Sequence, residues 1–310
     1  MKFILGTRGS KLALAQAQLV RVAFEHIDPT VQIEIKTIMT RGDREAGKAV
    51  TDLGGKGAST FDIELALQSG AIDLAVHSMK DFPVHVPAGL RIGCIPLRED
   101  ARDALISRRW ATLEEIPSNA RWGTSSLRRI AQLRHGRPIC AIIPMRGNVD
   151  TRLRKLDAGE ADVILLAAAG LLRLGQREQH MLWLDPAMMI PAAGQGALCI
   201  EVAESTKFPA ALLARLQHAE TATCVNAERA ALRVMSGSCQ VPIGIYAVNH
   251  GGKIRIDGCV ASPDGALLIR GHQEGAPTEA ITLAETLGHE LLQRGGQKIL
   301  DALARGPRQP

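Results

Sequence analysis

The stretch Ile72-Asp73-Leu74-Ala75-Val76-His77-Ser78-Met79-Lys80-Asp81 decides the fold class of this chain. Its apolar first half is typical of a buried strand, and its polar end is typical of a loop at the edge of a sheet. A helix is predicted directly before it, near residues 62–68, and the predicted strand Lys2–Gly6 precedes a helix that Ser10 can cap. Strands that alternate with helices in this way indicate an α/β domain with a mostly parallel sheet.

The same alternation begins again near residue 102. A strand end at Arg121–Gly123 leads into Thr124-Ser125-Ser126, whose hydroxyl groups can cap a following helix. Further strands are predicted at 139–143 and 163–167, each followed by a helix. The pattern therefore predicts a second α/β unit of similar size.

The last third of the chain has a different pattern. After a strand at Ala197–Val202, a long helical stretch is predicted from about residue 209 to 235. Three β-rich segments and then two helical segments follow, at 243–248, 254–260, 267–271, 276–293 and 297–304. Strands followed by helices predict a small α+β domain with a three-stranded sheet.

Size and composition limit the possible partners. A chain of 310 residues favours two or three domains. The net charge of +5 favours anionic partners, but aromatic residues make up only 3% of the chain, so few side chains could stack on bases. The N-terminal apolar run is too short for a signal peptide, and no segment approaches the about 18 apolar residues of a membrane span. We therefore expect a cytoplasmic protein with neither a nucleic-acid nor a membrane partner.

The six cysteines are scattered, without C-x-x-C pairs or metal-ligand spacing, so neither disulfides nor a metal are expected. Most lie in apolar sequence, where a buried, inert thiol is the usual outcome. Cys239 differs because it lies in the small, turn-forming segment Ser236-Gly237-Ser238-Cys239-Gln240-Val241-Pro242. This context predicts an accessible thiol.

Arginines recur where predicted strands end and helices begin. Such junctions offer free backbone N–H groups as well as guanidinium groups, and both bind carboxylates. The junctions are Thr7-Arg8-Gly9-Ser10, Ser125-Ser126-Leu127-Arg128-Arg129 and Arg146-Gly147-Asn148-Val149-Asp150-Thr151-Arg152. A single arginine at such a place is usually a solvated surface charge. Three junctions at strand ends favour a small ligand that carries several carboxylates.

Lys80 and Asp81 follow the quoted strand, and Pro83 prevents a helix from continuing there. As a pair on the surface they would be a weak salt bridge. Among many arginines, Asp81 could instead stay ionised and stabilise a developing cation. His77 is expected to be structural.

Two segments resemble nucleotide-binding motifs only in part. Gly42-Asp43-Arg44-Glu45-Ala46-Gly47-Lys48 has most of a P-loop, but Ala49 stands where a magnesium-binding hydroxyl is needed. Gly194-Gln195-Gly196 lacks the third glycine of a dinucleotide fingerprint. Nucleotide binding is therefore disfavoured.

The motifs, taken in order, resemble the porphobilinogen deaminase family along almost the whole chain. They are Thr7-Arg8-x-Ser10, Thr40-Arg41-Gly42-Asp43, Gly54-Gly55-Lys56-Gly57, Val76-His77-Ser78-Met79-Lys80-Asp81, Gly123-Thr124-Ser125-Ser126-Leu127-Arg128-Arg129, Arg146-Gly147-Asn148, Gly194-Gln195-Gly196-Ala197 and Gly237-x-Cys239-Gln240-Val241-Pro242-Ile243-Gly244. The resemblance implies two periplasmic-binding-protein-like (type II) α/β domains and a small α+β C-terminal domain. It places the first domain at 1–96 with 197–214, the second at 102–190, and the third at 219–310.

The resemblance also implies a transferase. Such an enzyme condenses four porphobilinogen molecules head to tail with release of ammonia, on a dipyrromethane cofactor that Cys239 holds as a thioether, and releases hydroxymethylbilane. Asp81 would stabilise positive charge that develops on pyrrole nitrogens. The residues expected to hold the cofactor are Cys239, Lys80, Ser126, Arg128, Arg129 and Arg146, and those expected to bind substrate are Arg8, Ser10, Arg152 and Arg173.

The resemblance further implies a monomer that needs no metal and passes its product to uroporphyrinogen-III synthase. One segment departs from the family pattern. Asp52, Ala58, Ser59 and Phe61 differ from the residues usual there, in a stretch expected to cover the active site, so family contacts are not transferred to 52–61.

The residues alone leave three other functions possible. A non-catalytic two-domain protein that binds a polycarboxylate would share the layout and the arginines, but would have no use for Cys239 or Asp81. A basic nucleic-acid binder would show salt-dependent retention on DNA. A thiol enzyme could use Cys239 as an acyl nucleophile, although no histidine adjoins it in the sequence.

Overall fold

The computed structural model describes residues 1–40, 60–178, 180–235 and 241–305. Cys239 and the segment 41–59, including Asp52, Ala58 and Ser59, lie outside the described residues. The chain forms two compact units, residues 1–99 with 196–222 and residues 100–195 with 223–310, called the first and second unit below. Among the helices of the described ranges, none is long and apolar enough to cross a membrane.

The first unit is built on a five-stranded sheet with the order β2-β1-β3-β10-β4. Its strands are β1 (Lys2–Thr7), β2 (Gln32–Thr37), β3 (Leu74–Ser78), β4 (Leu90–Cys94) and β10 (Leu198–Ala203), and its helices include α1 (Lys11–Ile27), α2 (Phe61–Gln68) and α6 (Ala210–Leu216). β1 is parallel to both β2 and β3, whereas β10 is antiparallel to β3 and β4. The sequence predicted α1 and its cap correctly, since the hydroxyl of Ser10 accepts from the N–H of Ala13.

The second unit contains a five-stranded sheet with the order β7-β6-β8-β5-β9. Its strands are β5 (Asp103–Ser107), β6 (Arg121–Gly123), β7 (Ala141–Ile143), β8 (Val163–Ala167) and β9 (His180–Trp183), with helices α3 (Leu127–Gly136), α4 (Val149–Asp157) and α5 (Ala168–Arg173). β6 is parallel to β7 and β8, and β5 is antiparallel to β8 and β9. The two large sheets thus share one pattern: three parallel strands, then an antiparallel strand, then an edge strand.

A separate three-stranded antiparallel sheet, β11-β12-β13, also belongs to the second unit. Its strands are β11 (Ile243–His250), β12 (Lys253–Ala261) and β13 (Leu268–Gly275), and the helices near it in sequence are α7 (Ala219–Val234), α8 (Ala280–Leu291) and α9 (Gln297–Ala304). Ile245, Ile256, Leu287 and Leu291 share one buried core cluster, because strands and helices each bury one apolar face there. The predicted fold class, two α/β sheets and a small α+β part with three strands, is confirmed.

The structure corrects three details of the predicted elements. The long helix predicted at 209–235 is two helices, because Gln217 is extended and its side-chain oxygen accepts from the N–H of Ile95 at 2.6 Å. Strands β4, β5 and β9 were not predicted. Lys80 lies in a short 3₁₀ turn, Met79–Asp81, instead of an irregular loop. The division into three domains stays a prediction.

Candidate functional site

In the first unit, the predicted catalytic aspartate lies directly beyond the central strand β3. The side chains of Met79 and Phe82 are buried on either side of it, and the N–H of Met79 donates to the carbonyl of Ala197 at 3.0 Å. Between these two anchors, Lys80 is half-buried and Asp81 is exposed. The turn therefore holds the Asp81 backbone firmly while its carboxylate stays accessible.

His77 supports this turn from within the sheet. Its Nε2 lies 2.8 Å from Oε2 of Glu201, a residue of the neighbouring strand β10, and both side chains are buried. The His77 ring also lies 5.1 Å from the ring of Phe82. The structure thus agrees with a structural role for His77, and Glu201 is its partner, which the sequence did not reveal.

Arg8 and Ser10 follow β1, which is parallel to β3. Carboxyl ends of parallel neighbours lie at the same edge of a sheet, so the first unit gathers Arg8, Ser10, Lys80 and Asp81 at one edge. Gln16 of α1 reinforces this edge, because its side-chain amide donates to the hydroxyl of Ser78 at 3.0 Å. Arg8 is half-buried.

In the second unit, the remaining predicted residues that the structure describes follow three parallel strands. Ser126, Arg128 and Arg129 follow β6, Arg146 and Arg152 follow β7, and Arg173 ends the helix after β8. Arg146 is exposed, and Arg152 and Arg173 are half-buried. Asn148 caps α4 by accepting from the N–H of Thr151 at 2.9 Å, and the Arg152 guanidinium donates to the carbonyl of Gly147 at 2.8 Å. The same strand-end geometry therefore gathers the cations of this unit at one sheet edge.

Ser126 occupies the N-cap position of α3, but its hydroxyl makes no capping hydrogen bond. Its N–H instead donates to the hydroxyl of Thr124 at 3.3 Å. The predicted position of the helix start is confirmed, whereas the predicted use of hydroxyls as caps is wrong at Ser126.

Arg128 and Arg129 are buried, with 4% and 5% exposure, and both bind the carboxylate of Asp103 at the start of β5. Arg128 donates through Nη1 to Oδ2 at 2.6 Å and through Nη2 to Oδ1 at 3.2 Å. Arg129 donates to Oδ1 through Nε at 3.0 Å and Nη2 at 2.7 Å, and through Nη1 to the carbonyl of Leu165. Asp103 is fully buried, and its single carboxylate accepts hydrogen bonds from both guanidinium groups.

The charges in this cluster affect one another. Burial alone would raise the pKa of Asp103, but the two guanidinium groups outweigh burial and hold that pKa well below its usual range. Burial lowers the pKa of Arg129 from its ordinary value, although Asp103 opposes that change. Asp103 is thus ionised at neutral pH, and the three side chains together carry one net positive charge.

Asp103 was not predicted from the sequence as a site residue. The only local signal is an acidic residue at the start of an otherwise apolar strand, Asp103-Ala104-Leu105-Ile106-Ser107. Gln195 belongs to the motif Gly194-Gln195-Gly196-Ala197 but was not predicted as a site residue, and its amide nitrogen donates to Oδ1 of Asp103 at 3.0 Å. Both residues are distant in sequence from the arginines that they contact.

The cluster fits a ligand that carries carboxylates. Nε of Arg128 and the hydroxyl of Ser125 are buried and have no hydrogen-bond partner in the part of the chain that the structure describes. A buried, unpaired donor is costly, and a net positive charge in a buried site favours an anion. The acetate and propionate groups of a dipyrromethane are such anions.

The five cysteines that the structure describes are poorly placed to react as nucleophiles. Cys94, Cys140, Cys199, Cys224 and Cys259 are all buried. Burial raises the pKa of Cys94 to about 12 and that of Cys259 to about 11, so neither forms a thiolate readily. In the described ranges, no group of three or more His, Cys, Asp or Glu side chains is placed to hold a metal ion.

Two α/β sheets with arginines or lysines just beyond their strand ends, one of them also with an accessible aspartate, place the chain among α/β proteins whose sheet edges suit anionic ligands. Comparison with known proteins resolves the class further. Residues 3–209 match the family model "Porphobilinogen deaminase, dipyromethane cofactor binding domain", and residues 222–293 match "Porphobilinogen deaminase, C-terminal domain". The chain belongs to the porphobilinogen deaminase family, as its motifs predicted.

Relatives match over nearly their whole length. The porphobilinogen deaminase of Syntrophobacter fumaroxidans is 44% identical over 301 residues, which cover 97% of each chain. That of Thiobacillus denitrificans is 44% identical over 299 residues, covering 96% of this chain and 98% of the other. That of Chromobacterium violaceum is 42% identical over 307 residues, covering 99% of each chain. Among solved structures, the methionine-binding protein MetQ is 12% identical, covers 69% of this chain and 88% of its own, and has a TM-score of 0.42.

Proposed function

We propose that the chain joins four porphobilinogen molecules head to tail, with loss of one ammonia per molecule, and releases hydroxymethylbilane for tetrapyrrole biosynthesis. The observation that carries this proposal is membership of the porphobilinogen deaminase family over almost the full chain. The buried cluster of Asp103, Arg128 and Arg129 supports it, because its net positive charge suits a ligand rich in carboxylates. A non-catalytic binding protein is not favoured by these comparisons.

Five side chains and one thiol would hold the dipyrromethane cofactor. Cys239 would bind it through a thioether, and Lys80, Ser126, Arg128, Arg129 and Arg146 would contact its carboxylates. When bound, the cofactor supplies the pyrrole carbon to which the first substrate unit is joined. Nε of Arg128, which has no hydrogen-bond partner among the described residues, supports this assignment for one of the arginines.

Asp81 would stabilise the positive charge that develops on a pyrrole nitrogen as ammonia leaves the substrate. An accessible carboxylate on a rigid turn can do this without reorganising during the reaction. Arg8, Ser10, Arg152 and Arg173 would bind the carboxylates of incoming substrate, and the half-burial of the three arginines leaves each partly accessible to solvent.

We further propose that the chain has three domains, at 1–96 with 197–214, 102–190 and 219–310. We also propose that it acts as a cytoplasmic monomer and passes its product to uroporphyrinogen-III synthase. Porphobilinogen as substrate follows from the family.

The first test is the intact mass of the purified protein under denaturing conditions, with peptide mapping around Cys239. We expect an added mass equal to two linked pyrrole units on the peptide that contains Cys239, and no addition in Cys239→Ser. An unmodified wild-type chain that gains no mass after porphobilinogen is added would refute the proposal. An adduct on another cysteine would refute the assignment of Cys239.

The second test concerns Asp81. Loss of one preorganised electrostatic group commonly lowers kcat by about 100-fold to 1000-fold, and we expect at least this loss in Asp81→Asn. The control is Asp28→Asn, since Asp28 precedes β2 and lies at the opposite end of the strands, where its carboxylate accepts only from Thr30 among the described hydrogen bonds. Wild-type turnover in Asp81→Asn would exclude the proposed role.

A further inference from the structure

The buried cluster of the second unit contains more cationic groups than its one carboxylate can neutralise. Arg128 and Arg129 contribute two positive charges, and Asp103 contributes one negative charge. The other described acceptors for the two guanidinium groups are neutral: the carbonyls of Ile190 and Leu165 and, at 3.5 Å, the amide oxygen of Gln195. The protein therefore keeps one positive charge in this buried cluster.

The two arginines differ in how Asp103 holds them. Arg129 turns its side edge, Nε and Nη2, to Oδ1, and its third nitrogen donates to Leu165. Arg128 turns its far end, Nη1 and Nη2, to the same carboxylate. Its Nε thus has no acceptor among the described residues. The orientation leaves Arg128 with an unused donor, whereas all three nitrogens of Arg129 donate within the protein.

A third side chain, Gln195, also holds the Asp103 carboxylate. The amide nitrogen of Gln195 donates to Oδ1 at 3.0 Å and to the carbonyl of Ala101 at 2.7 Å. The carboxylate is fully buried and belongs to the first residue of β5, paired with Ala167 of β8. Because its place in β5 and the Gln195 amide hold this carboxylate independently of the two arginines, it sets where both guanidinium groups lie.

We propose that Asp103 is a positioning residue of the cofactor site, which holds Arg128 and Arg129 in place and leaves one net positive charge to bind one carboxylate of the cofactor. This inference rests on the proposed function. It adds a residue that does not touch the cofactor but acts through the two arginines. It also assigns Arg128 as the member of the pair that turns its unused donor toward the ligand.

The test compares the wild type with Asp103→Asn and Asp103→Glu. Asparagine keeps the size of the side chain but leaves two buried guanidinium groups without a counter-charge, which one ligand carboxylate cannot neutralise. We expect most of the folded Asp103→Asn protein to lack the covalent adduct by intact mass, even after porphobilinogen is added. Glutamate keeps the charge but displaces it by one methylene, and displacements of this size can cost about 100-fold in a positioned site. We expect a KM for Asp103→Glu raised at least about tenfold in protein that is still folded by circular dichroism, with the modest loss of stability that overpacking brings.

Asp162→Asn is the matched control. Asp162 also forms a two-point ion pair with an arginine of the second unit, Nε and Nη2 of Arg121, at 3.0 and 2.9 Å. It directly precedes β8, whereas Asp103 pairs with the last residue of that strand, so the two carboxylates lie at opposite ends. We expect Asp162→Asn to lower the thermal unfolding temperature while the protein stays fully loaded, with the wild-type KM.

The outcomes separate a positioning role from a merely structural one. Asp103→Asn protein that is folded by circular dichroism, fully loaded and normal in KM would overturn the inference. If Asp103→Asn does not fold, Asp103→Glu decides: full loading with the wild-type KM would overturn the inference, and a raised KM in protein that is folded by circular dichroism supports it. A wild-type chain that never gains the adduct would instead overturn the proposed function.

Discussion

Substitution of Gly244 by alanine tests how the three-stranded sheet supports the arginine cluster. A Cβ added at Gly244 in β11 would lie 2.8 Å from the carbonyl oxygen of Ile190 and 3.0 Å from Sγ of Cys259. Real Cβ atoms essentially never approach a neighbour within less than 3.0 Å, as the contact with the Ile190 oxygen would require. The Ile190 carbonyl must therefore move, and it accepts hydrogen bonds from Arg128 at 2.8 Å and from Gln132 at 3.1 Å.

The expected cost follows from these contacts. Overpacking of a tight interior costs about 1 to 3 kcal/mol, and each weakened hydrogen bond adds up to about 1 kcal/mol. The reduced entropy of the unfolded chain returns only about 0.4 to 1 kcal/mol. We expect Gly244→Ala to lower the free energy of unfolding by about 1 to 3 kcal/mol. Covalent cofactor loading should fall with it, because the Ile190 carbonyl helps to hold Arg128.

Urea unfolding followed by tryptophan fluorescence is a suitable assay. The three tryptophans, Trp110, Trp122 and Trp183, all lie in the second unit, so the signal reports the unit that contains Gly244. The control is Gly136→Ala at the end of α3, where an added Cβ meets nothing within 4 Å. That variant should be as stable as the wild type or up to about 1 kcal/mol more stable. Equal midpoints for the two variants would refute the reasoning.

Three further predictions test other parts of the structure. Because the two guanidinium groups lower the pKa of Asp103 despite its burial, the stability it contributes is present above its unfolded pKa of about 3.9 and is lost as the pH falls through its folded pKa. Asp103→Asn should therefore flatten the loss of stability below about pH 4, measured by urea unfolding across pH, and a wild-type slope would contradict this. Phe24→Ala should cost about 3 to 5 kcal/mol, since Phe24 is fully buried and its ring lies 4.9 Å edge-on from that of Phe208; a loss below about 1 kcal/mol in denaturant titration would count against this core contact. Iodoacetamide at pH 8 should leave Cys94 and Cys259 unlabelled in the native protein, because burial raises both thiol pKa values, and mapped adducts at either residue would show that they are accessible.

The sequence predicted most of the local structure because local structure depends on near neighbours. Ser10 begins α1 and Asn148 begins α4 because each side chain accepts from a backbone N–H three residues further on. At the start of β12, Lys253-Ile254-Arg255-Ile256-Asp257 alternate polar and apolar positions, a pattern typical of a half-buried strand. The family was also evident from the sequence, since its motifs are short, ordered and rich in functional residues.

Elements that depend on distant partners could not be predicted in the same way. The helical stretch at 209–235 has continuous helical periodicity, but the backbone of Ile95, more than a hundred residues earlier, bonds to Gln217 and His218 where the stretch is interrupted. β10 lies antiparallel between β3 and β4, although the chain has by then passed through another sheet. No local pattern specifies such a return.

The candidate site also combines features predictable from the sequence with features that depend on distant partners. The sequence by itself predicted which residues carry the chemistry: a thiol in a predicted turn at Cys239, an aspartate after a strand at Asp81, and arginines at strand ends. Only the tertiary structure decided that Arg128 and Arg129 share the buried carboxylate of Asp103, which is 25 and 26 residues away along the chain. The physical reason is that periodicity and capping act over a few residues, whereas a buried charge must find its partner wherever folding brings one within reach.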